Sequence, residues 1–181
     1  MRTRFLIALG TCSMLALATP VVAQQTPAPS PPAAPSAPAP PAAAISRPDY
    51  GPPITIEQAK AVAGAAVAEA RKNNFRMAIA IVASTGELVY FEKMDGTQMA
   101  SIELSLGKAR TAVMFRQPSK IFYEQSLGGN MAFMSFPERP VASEGGIPIV
   151  VSGKLIGAIG VSGGLAYQDG AVATVGASTA K

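Results

Sequence analysis

The sequence predicts an α+β fold, an α/β sandwich in which helices pack on an antiparallel sheet. Two pairs of short apolar runs are each joined by a tight turn containing glycine, which indicates two β-hairpins. Segments with apolar residues at helical spacing lie before, between and after these pairs. Because the strands come in adjacent pairs and do not alternate with helices, a doubly wound parallel sheet is excluded.

The N-terminal part of the chain is predicted to lie outside the folded domain. Residues 1–23 combine Arg2 and Arg4 with a short apolar run that ends in small residues, as in a secretory signal peptide. The run is shorter than the ~20 residues that a membrane-spanning helix needs. Residues 24–53 are rich in Pro and Ala and predict an extended linker, which leaves 54–181 as one domain. We therefore expect export, periplasmic or secreted, without stable membrane insertion after cleavage.

The composition excludes several classes of site. The chain has no histidine, and its one cysteine, Cys12, lies inside the predicted signal peptide, where lipidation is the alternative to cleavage. After cleavage we expect no disulfide, no thiolate nucleophile and no imidazole-bound metal. The net charge of +4 falls to +2 without Arg2 and Arg4, and no basic stripe is present. Nothing therefore indicates nucleic-acid binding.

The first half of the domain predicts a helix followed by a hairpin. Thr55 and Gln58 have the spacing of a capping box, in which each residue satisfies a backbone N–H group of the other. Small apolar residues then recur at helical spacing as far as Lys72. Residues 77–83 and 88–93 predict the two strands of the first hairpin.

The second half predicts two helices, a hairpin and a closing helix. The longer helix covers residues 99–115, and a Gln-Pro pair separates it from a short helix over 119–125. Residues 147–151 and 155–161 predict the second hairpin, and residues 167–181 the last helix.

The second hairpin is unusually rich in glycine. Gly160, Gly163 and Gly164 predict a close approach of the backbone, either to a packed element or to a ligand. Their N–H groups are candidates for holding a carboxylate or phosphate. No Gly-Lys-Ser/Thr follows, so the segment is not a P-loop.

Four blocks of the domain, taken together, resemble the GlcG/HbpS family, a haem-binding-protein-like domain that is also related to the C-terminal domain of PduO-type proteins. The blocks are residues 79–88, 94–96, 108–119 and 159–169. Each block alone is short, and their order and spacing carry the resemblance. It extends over the chain from Thr55 onward.

The resemblance implies an α/β sandwich that tends to form homo-oligomers and, for some members, binds haem or a related tetrapyrrole. It therefore favours an exported binding protein, non-catalytic or of unknown activity, with no cofactor needed for folding. A protein that binds or acts on a small, glycolate-like carboxylate through the backbone of residues 160–164 is the alternative. We assign no catalytic residue, and a metal site stays undecided.

The predicted haem-binding residues lie on the longer helix and just after it. They are Lys108, Arg110, Thr111, Met114, Arg116 and Ser119. The three cations are suited to the haem propionates, or else to a solvated helix end, where they favour the helix dipole. Ser119 stands where the resemblance implies a hydroxyl ligand in some members, or else caps the next helix.

The axial ligand of a haem iron is left open, because histidine is absent. The alternatives are Met99, Met114, Met131, Met134, Tyr123, Tyr167, Thr111 and Ser119. The loop with Met131, Phe133, Met134 and Phe136 is predicted either to cover a flat macrocycle or to form an oligomer contact or fill the core.

Overall fold

The structure, a computed structural model, describes residues 47–181. The predicted signal peptide, Cys12 and most of the predicted linker lie outside this range. In chain order, the elements are β1 (Asp49–Tyr50), α1 (Ile56–Lys72), β2 (Ala78–Ala83), β3 (Leu88–Lys93), α2 (Ala100–Phe115), α3 (Lys120–Leu127), a 3₁₀ turn (Ala132–Ser135), β4 (Gly146–Val151), β5 (Lys154–Ser162) and α4 (Ala166–Ala177).

The sheet is built from the two predicted hairpins. β2 pairs with β3, and β4 pairs with β5, both antiparallel. The hairpins join through β2 and β5, which are also antiparallel, with Ala78 opposite Ser162 and Ala83 opposite Gly157. These pairings confirm the predicted α+β fold.

One strand was not predicted, and it makes the sheet mixed. β1 pairs in parallel with the start of β5, with Asp49 opposite Lys154 and Tyr50 opposite Leu155. Two further backbone bonds, from the N–H groups of Gly51 and Ile54 to β5 carbonyls, continue this attachment. The fold therefore includes residues that we expected in the linker of 24–53.

The sheet separates two helix layers. Ile79 and Ile81 of β2 pack in a core with α1 and α4, whereas Ala80 and Val82 pack in a second core with α2. Alternate residues of a strand point to opposite faces, so α1 and α4 cover one face and α2 covers the other. The small side chains on the α2 face allow that helix to lie close to the strands.

The helix ends follow from local hydrogen bonding. The predicted capping box of α1 is present, with Gln58 N–H donating to Thr55 Oγ1 and Thr55 N–H donating to Gln58 Oε1. α2 ends at Arg116, which adopts the left-handed conformation with φ of 54°. Since this turn redirects the chain, α3 leaves α2 in a new direction. No helix within residues 47–181 combines the length and apolar character needed to cross a bilayer.

Gly160 of β5 is where α2 meets the sheet. A Cβ atom at this position would collide with the carbonyl oxygen of Ser105 and lie 2.6 Å from the amide nitrogen of Ala109. Backbone atoms of a helix cannot yield to such a contact as a flexible side chain can. The predicted close approach at Gly160 is therefore helix-on-strand packing.

Candidate functional site

An aromatic cluster lies beyond the C-terminal end of α2. Phe115 meets Phe122 edge-on at 4.8 Å between ring centroids and stacks on Phe136 at 5.9 Å, with 20° between the planes. Phe122 also meets Phe133 edge-on at 5.5 Å. Both geometries are favourable for aromatic pairs. The end of α2, α3 and the 3₁₀ turn thus share one apolar seam.

A cleft of about 430 Å³ opens at this seam. We call it the aromatic cleft, and its lining residues are Arg47, Phe115, Gln117, Phe122, Gln125, Asn130, Ala132, Phe133 and Phe136. Flat rings form much of the wall, amide groups add hydrogen-bonding capacity, and Arg47 supplies a cation. Such a lining is typical of a site for a largely apolar small molecule with an anionic group.

Lys108 does not face this cleft. Its side chain is 2% exposed, and its Nζ lies 2.7 Å from Asp169 Oδ2 and 3.1 Å from the carbonyl oxygen of Val161. α2 thereby contacts the first turn of α4 from across the sheet. The predicted propionate ligand is thus held in a buried ion pair.

The carboxylate of Asp169 is also bound by the glycine-rich segment. Gly164 N–H donates to Asp169 Oδ1 at 2.9 Å. Burial raises the pKa of Asp169 above its usual range, while the hydrogen bonds from Lys108 and from the backbone of Gly164 and Gly163 oppose that rise. The N–H groups of Gly163 and Gly164, which were candidates for holding an external carboxylate, therefore bind the carboxylate of Asp169 instead.

The two predicted hydroxyl ligands are buried and hydrogen-bonded within the protein. Thr111 Oγ1 donates to the carbonyl oxygen of Gly107 at 2.8 Å and accepts the N–H of Val141 at 2.9 Å. Ser119 Oγ donates to the carbonyl oxygen of Ser143 and accepts the N–H of Gly146 at 2.9 Å. Ser119 makes no side-chain cap for α3. Both hydroxyls hold residues 141–146, the segment that leads into β4.

The remaining three predicted residues lie nearer the surface. Arg116 stacks on the ring of Tyr50 at 5.4 Å and donates to the carbonyl oxygen of Pro48 at 3.5 Å. Arg110 and Met114 are exposed on α2. Of the six predicted residues, Lys108, Thr111 and Ser119 therefore share one role, because all three contact the segment that precedes or begins β4.

Sequence reasoning missed Arg47, Phe115 and Phe122 as cleft residues. Phe133 and Phe136 were recognised as part of an apolar loop, and they do line the cleft. The available signal was the pair of phenylalanines that flank the Gln-Pro break between α2 and α3. A chain reversal there predicts that their rings meet. Arg47 had no signal, because it stands in a proline-rich segment.

A family model described as "Haem degrading protein HbpS-like" matches residues 54–178. This chain belongs to the HbpS-like family. The match spans every element from α1 to α4, which agrees with the resemblance described from the four sequence blocks.

Individual relatives and solved structures agree with this assignment. The protein GlcG of Escherichia coli strain K12 is 38% identical over 106 residues, which cover 59% of this chain and 78% of GlcG. A double mutant of Streptomyces reticuli HbpS is similar in structure, with a TM-score of 0.67 and 26% identity over 83% of this chain and 99% of the other. A PduOC:haem complex has a TM-score of 0.65 and 25% identity, covering 70% and 94% of the two chains.

The described residues do not offer a strong set of metal ligands. Within 47–181, no three acidic side chains converge into a group able to hold a metal ion. The lining of the aromatic cleft contains amide oxygens, which are weak partners for haem iron. Met131 and Met134 are exposed on the loop that carries Phe133.

Proposed function

We propose that this protein binds haem or a related tetrapyrrole in the aromatic cleft. The single observation that supports this most is the aromatic cluster, in which Phe115 and Phe136 reach the opening and the nearly buried rings of Phe122 and Phe133 pack behind them. The volume of the aromatic cleft, about 430 Å³, lies within the range of about 300–1,000 Å³ usual for small-molecule sites. Flat rings are suited to contact a flat apolar macrocycle.

The charge of the cleft is suited to the propionates of such a ligand. Arg47 lines the opening and supplies a guanidinium there. A guanidinium binds a carboxylate with two parallel hydrogen bonds, which fixes the orientation of the ligand as well as its position. Family membership and the haem-bound structural relative support the same ligand class.

The residues present favour binding over catalysis. Among the residues described as lining the aromatic cleft, Arg47 is the one titratable side chain, and a guanidinium does not exchange protons near neutral pH. Lys108 and Asp169, the buried titratable pair, are not among the lining residues. We therefore propose a binding protein in which apolar contacts and propionate recognition contribute more than a strong axial ligand.

Titration with haemin, followed by the Soret band, tests this proposal. Wild-type protein should shift the band from that of free haemin. Phe136→Ala should weaken binding about tenfold, because loss of one ring contact removes roughly 1.5 kcal/mol. Leu88→Ala is the matched control, since Leu88 is 46% exposed on β3 and does not line the aromatic cleft. A Soret band unchanged by wild-type protein, or equal loss in both variants, contradicts the proposal.

We further propose that the protein is exported. The basic, apolar and small-residue pattern of residues 1–23 supports this compartment. Sequencing the N-terminus of the mature protein tests it, with Gln24 as the expected first residue. A cytoplasmic protein that keeps Met1 would contradict it.

We also propose that the chain forms a homo-oligomer. Leu127, Met131 and Met134 are large apolar residues exposed on or near the 3₁₀ turn, and covering them with a second copy would remove that surface from water. The same segment borders the aromatic cleft.

A further inference from the structure

A second cleft, of about 390 Å³, lies near the N-terminal end of α2. We call it the polar cleft. Its walls contain one cation, three amide side chains and glycine backbone, contributed by Arg76, Asn74, Gln98, Gln168, Gly163 and Gly164. The aromatic cleft lies at the other end of α2, a helix of 16 residues and therefore about 24 Å long.

We propose that the polar cleft binds a small organic monocarboxylate through Arg76. Arg76 is exposed and makes no ion pair with any acidic side chain of residues 47–181. Its guanidinium is thus free to present two parallel N–H donors to a carboxylate. Phe75, which is half-buried beside it, gives the cleft one apolar wall.

The amide groups around Arg76 have unused hydrogen-bonding capacity. Gln168 Oε1 accepts the N–H of Leu165 at 2.8 Å, which leaves the two N–H donors of its amide group without a protein partner among the described residues. Gln98 is exposed and also lines the cleft. Amide donors and acceptors beside a guanidinium suit a carboxylate that also has a hydroxyl or carbonyl group.

A buried hydroxyl next to the cleft has no partner. Thr97 is 6% exposed, and its Oγ1 makes no hydrogen bond within the described residues. Thr97 stands between Gly96 and Gln98, both of which line the polar cleft. Buried polar groups are nearly always satisfied, so this hydroxyl is available to a polar partner at the edge of the polar cleft.

The surrounding charges favour a ligand with one negative charge. The adjoining cavity shares Arg76 with the polar cleft, and there Arg71 and Lys93 are offset by Glu92 and Asp95. A polyanion gains little from this nearly balanced surface, whereas a monocarboxylate needs one guanidinium. Asp169 already engages Gly164 N–H, so Arg76 is the group left to receive the ligand's carboxylate.

Titration of isotope-labelled protein with glycolate, acetate and inorganic phosphate, followed by NMR, tests the proposal. Glycolate or acetate should shift the amide signals of Gly96, Gly163 and Gly164 and leave those of residues 132–136 in place. Arg76→Gln should weaken carboxylate binding about tenfold, a loss of about 1.4 kcal/mol, because it removes the charge-assisted hydrogen bonds to the carboxylate. Lys60→Gln, which removes one exposed positive charge from α1, should change the affinity less than twofold.

Three results would overturn the proposal: no shift at millimolar carboxylate, equal weakening in both variants, or tighter binding of phosphate than of carboxylate. Haemin titration of Arg76→Gln keeps this inference separate from the proposed haem site. Unchanged haemin affinity together with lost carboxylate affinity supports two sites. Loss of both would show that Arg76 serves the haem site and would refute a separate one.

Discussion

Lys108 and Asp169 form an ion pair that water barely reaches, with side chains 2% and 4% exposed. Taking two charges out of water is costly, and the pair is tolerated because further hydrogen bonds satisfy both partners. Removing one partner leaves the other charge buried and unpaired. The loss of stability on replacing Lys108 therefore consists largely of the cost of leaving the Asp169 carboxylate buried without a partner.

Lys108→Met is expected to lower the free energy of unfolding by about 3–5 kcal/mol, the usual cost of breaking a buried pair. Urea unfolding measures the change. Lys154→Met is the matched control, because the 3.0 Å pair of Lys154 with Asp49 is at the surface. Exposed pairs contribute about 1 kcal/mol or less. Similar losses in both variants would mean that burial of the Lys108 pair has no energetic consequence.

Asp169 predicts a pH dependence of stability. Burial raises its pKa in the folded protein, so the folded state holds this proton more tightly than the unfolded chain does. Stability from this group is therefore fully present below the unfolded pKa of about 4 and decreases as pH rises through the folded pKa. Asp169→Asn should remove that decrease. Unfolding free energies of both proteins from acidic to neutral pH test it, and parallel curves would contradict it.

The pairing of Lys108 could not be predicted from the sequence. Lys108 lies among apolar residues of a helix, where a cation near the C-terminal half usually faces solvent. Its partner is 61 residues away on another helix, and no local spacing reveals such a contact. The visible hint was the pair Gly145-Gly146, whose missing side chains leave room for the Lys108 chain.

At the scale of elements, the hairpins and helices followed from local patterns, and β1 did not. Turn glycines and apolar runs predicted β2 through β5 because each hairpin is made of neighbouring residues. β1 has two residues, so it has no periodicity, and it pairs with a strand about a hundred positions later. The same limit hid the aromatic cleft, since Arg47 joins it from the segment just before β1.

Alanine is expected to change stability in opposite directions at two glycines, one packed against α2 and one in open space on α1. Gly160→Ala would push against the backbone of α2 and should lower stability by about 1–3 kcal/mol or more. Gly64→Ala, on α1, meets nothing within 4 Å and should raise stability by up to about 1 kcal/mol through better helix propensity. Thermal unfolding of both variants tests this. A neutral Gly160→Ala would show that α2 is free to shift away from the sheet.

At the scale of the whole molecule, α2 separates two clefts of different chemistry. One is aromatic with a single lining cation, and the other is rich in amides. Because the two clefts lie at opposite ends of α2, a ligand in one cleft does not touch a ligand in the other. Each ligand should therefore bind as if the other were absent.

Calorimetric titration of glycolate into haemin-saturated protein is expected to give the same dissociation constant as titration into haemin-free protein, within about twofold. A larger change would mean that the two sites are coupled, and glycolate would then change the affinity for haemin by the same factor. Complete loss of glycolate binding in the haemin-saturated protein would mean that both ligands occupy one site.

The buried ion pair also connects the two helix layers of the molecule. Lys108 belongs to the helix on one face of the sheet and Asp169 to a helix on the other, and the two meet beside Gly145. Contacts that form after the rate-limiting step of folding slow unfolding without speeding folding. Because the pair joins elements from both faces of the sheet, we expect Lys108→Met to speed unfolding more than it slows folding, which unfolding and refolding kinetics measure.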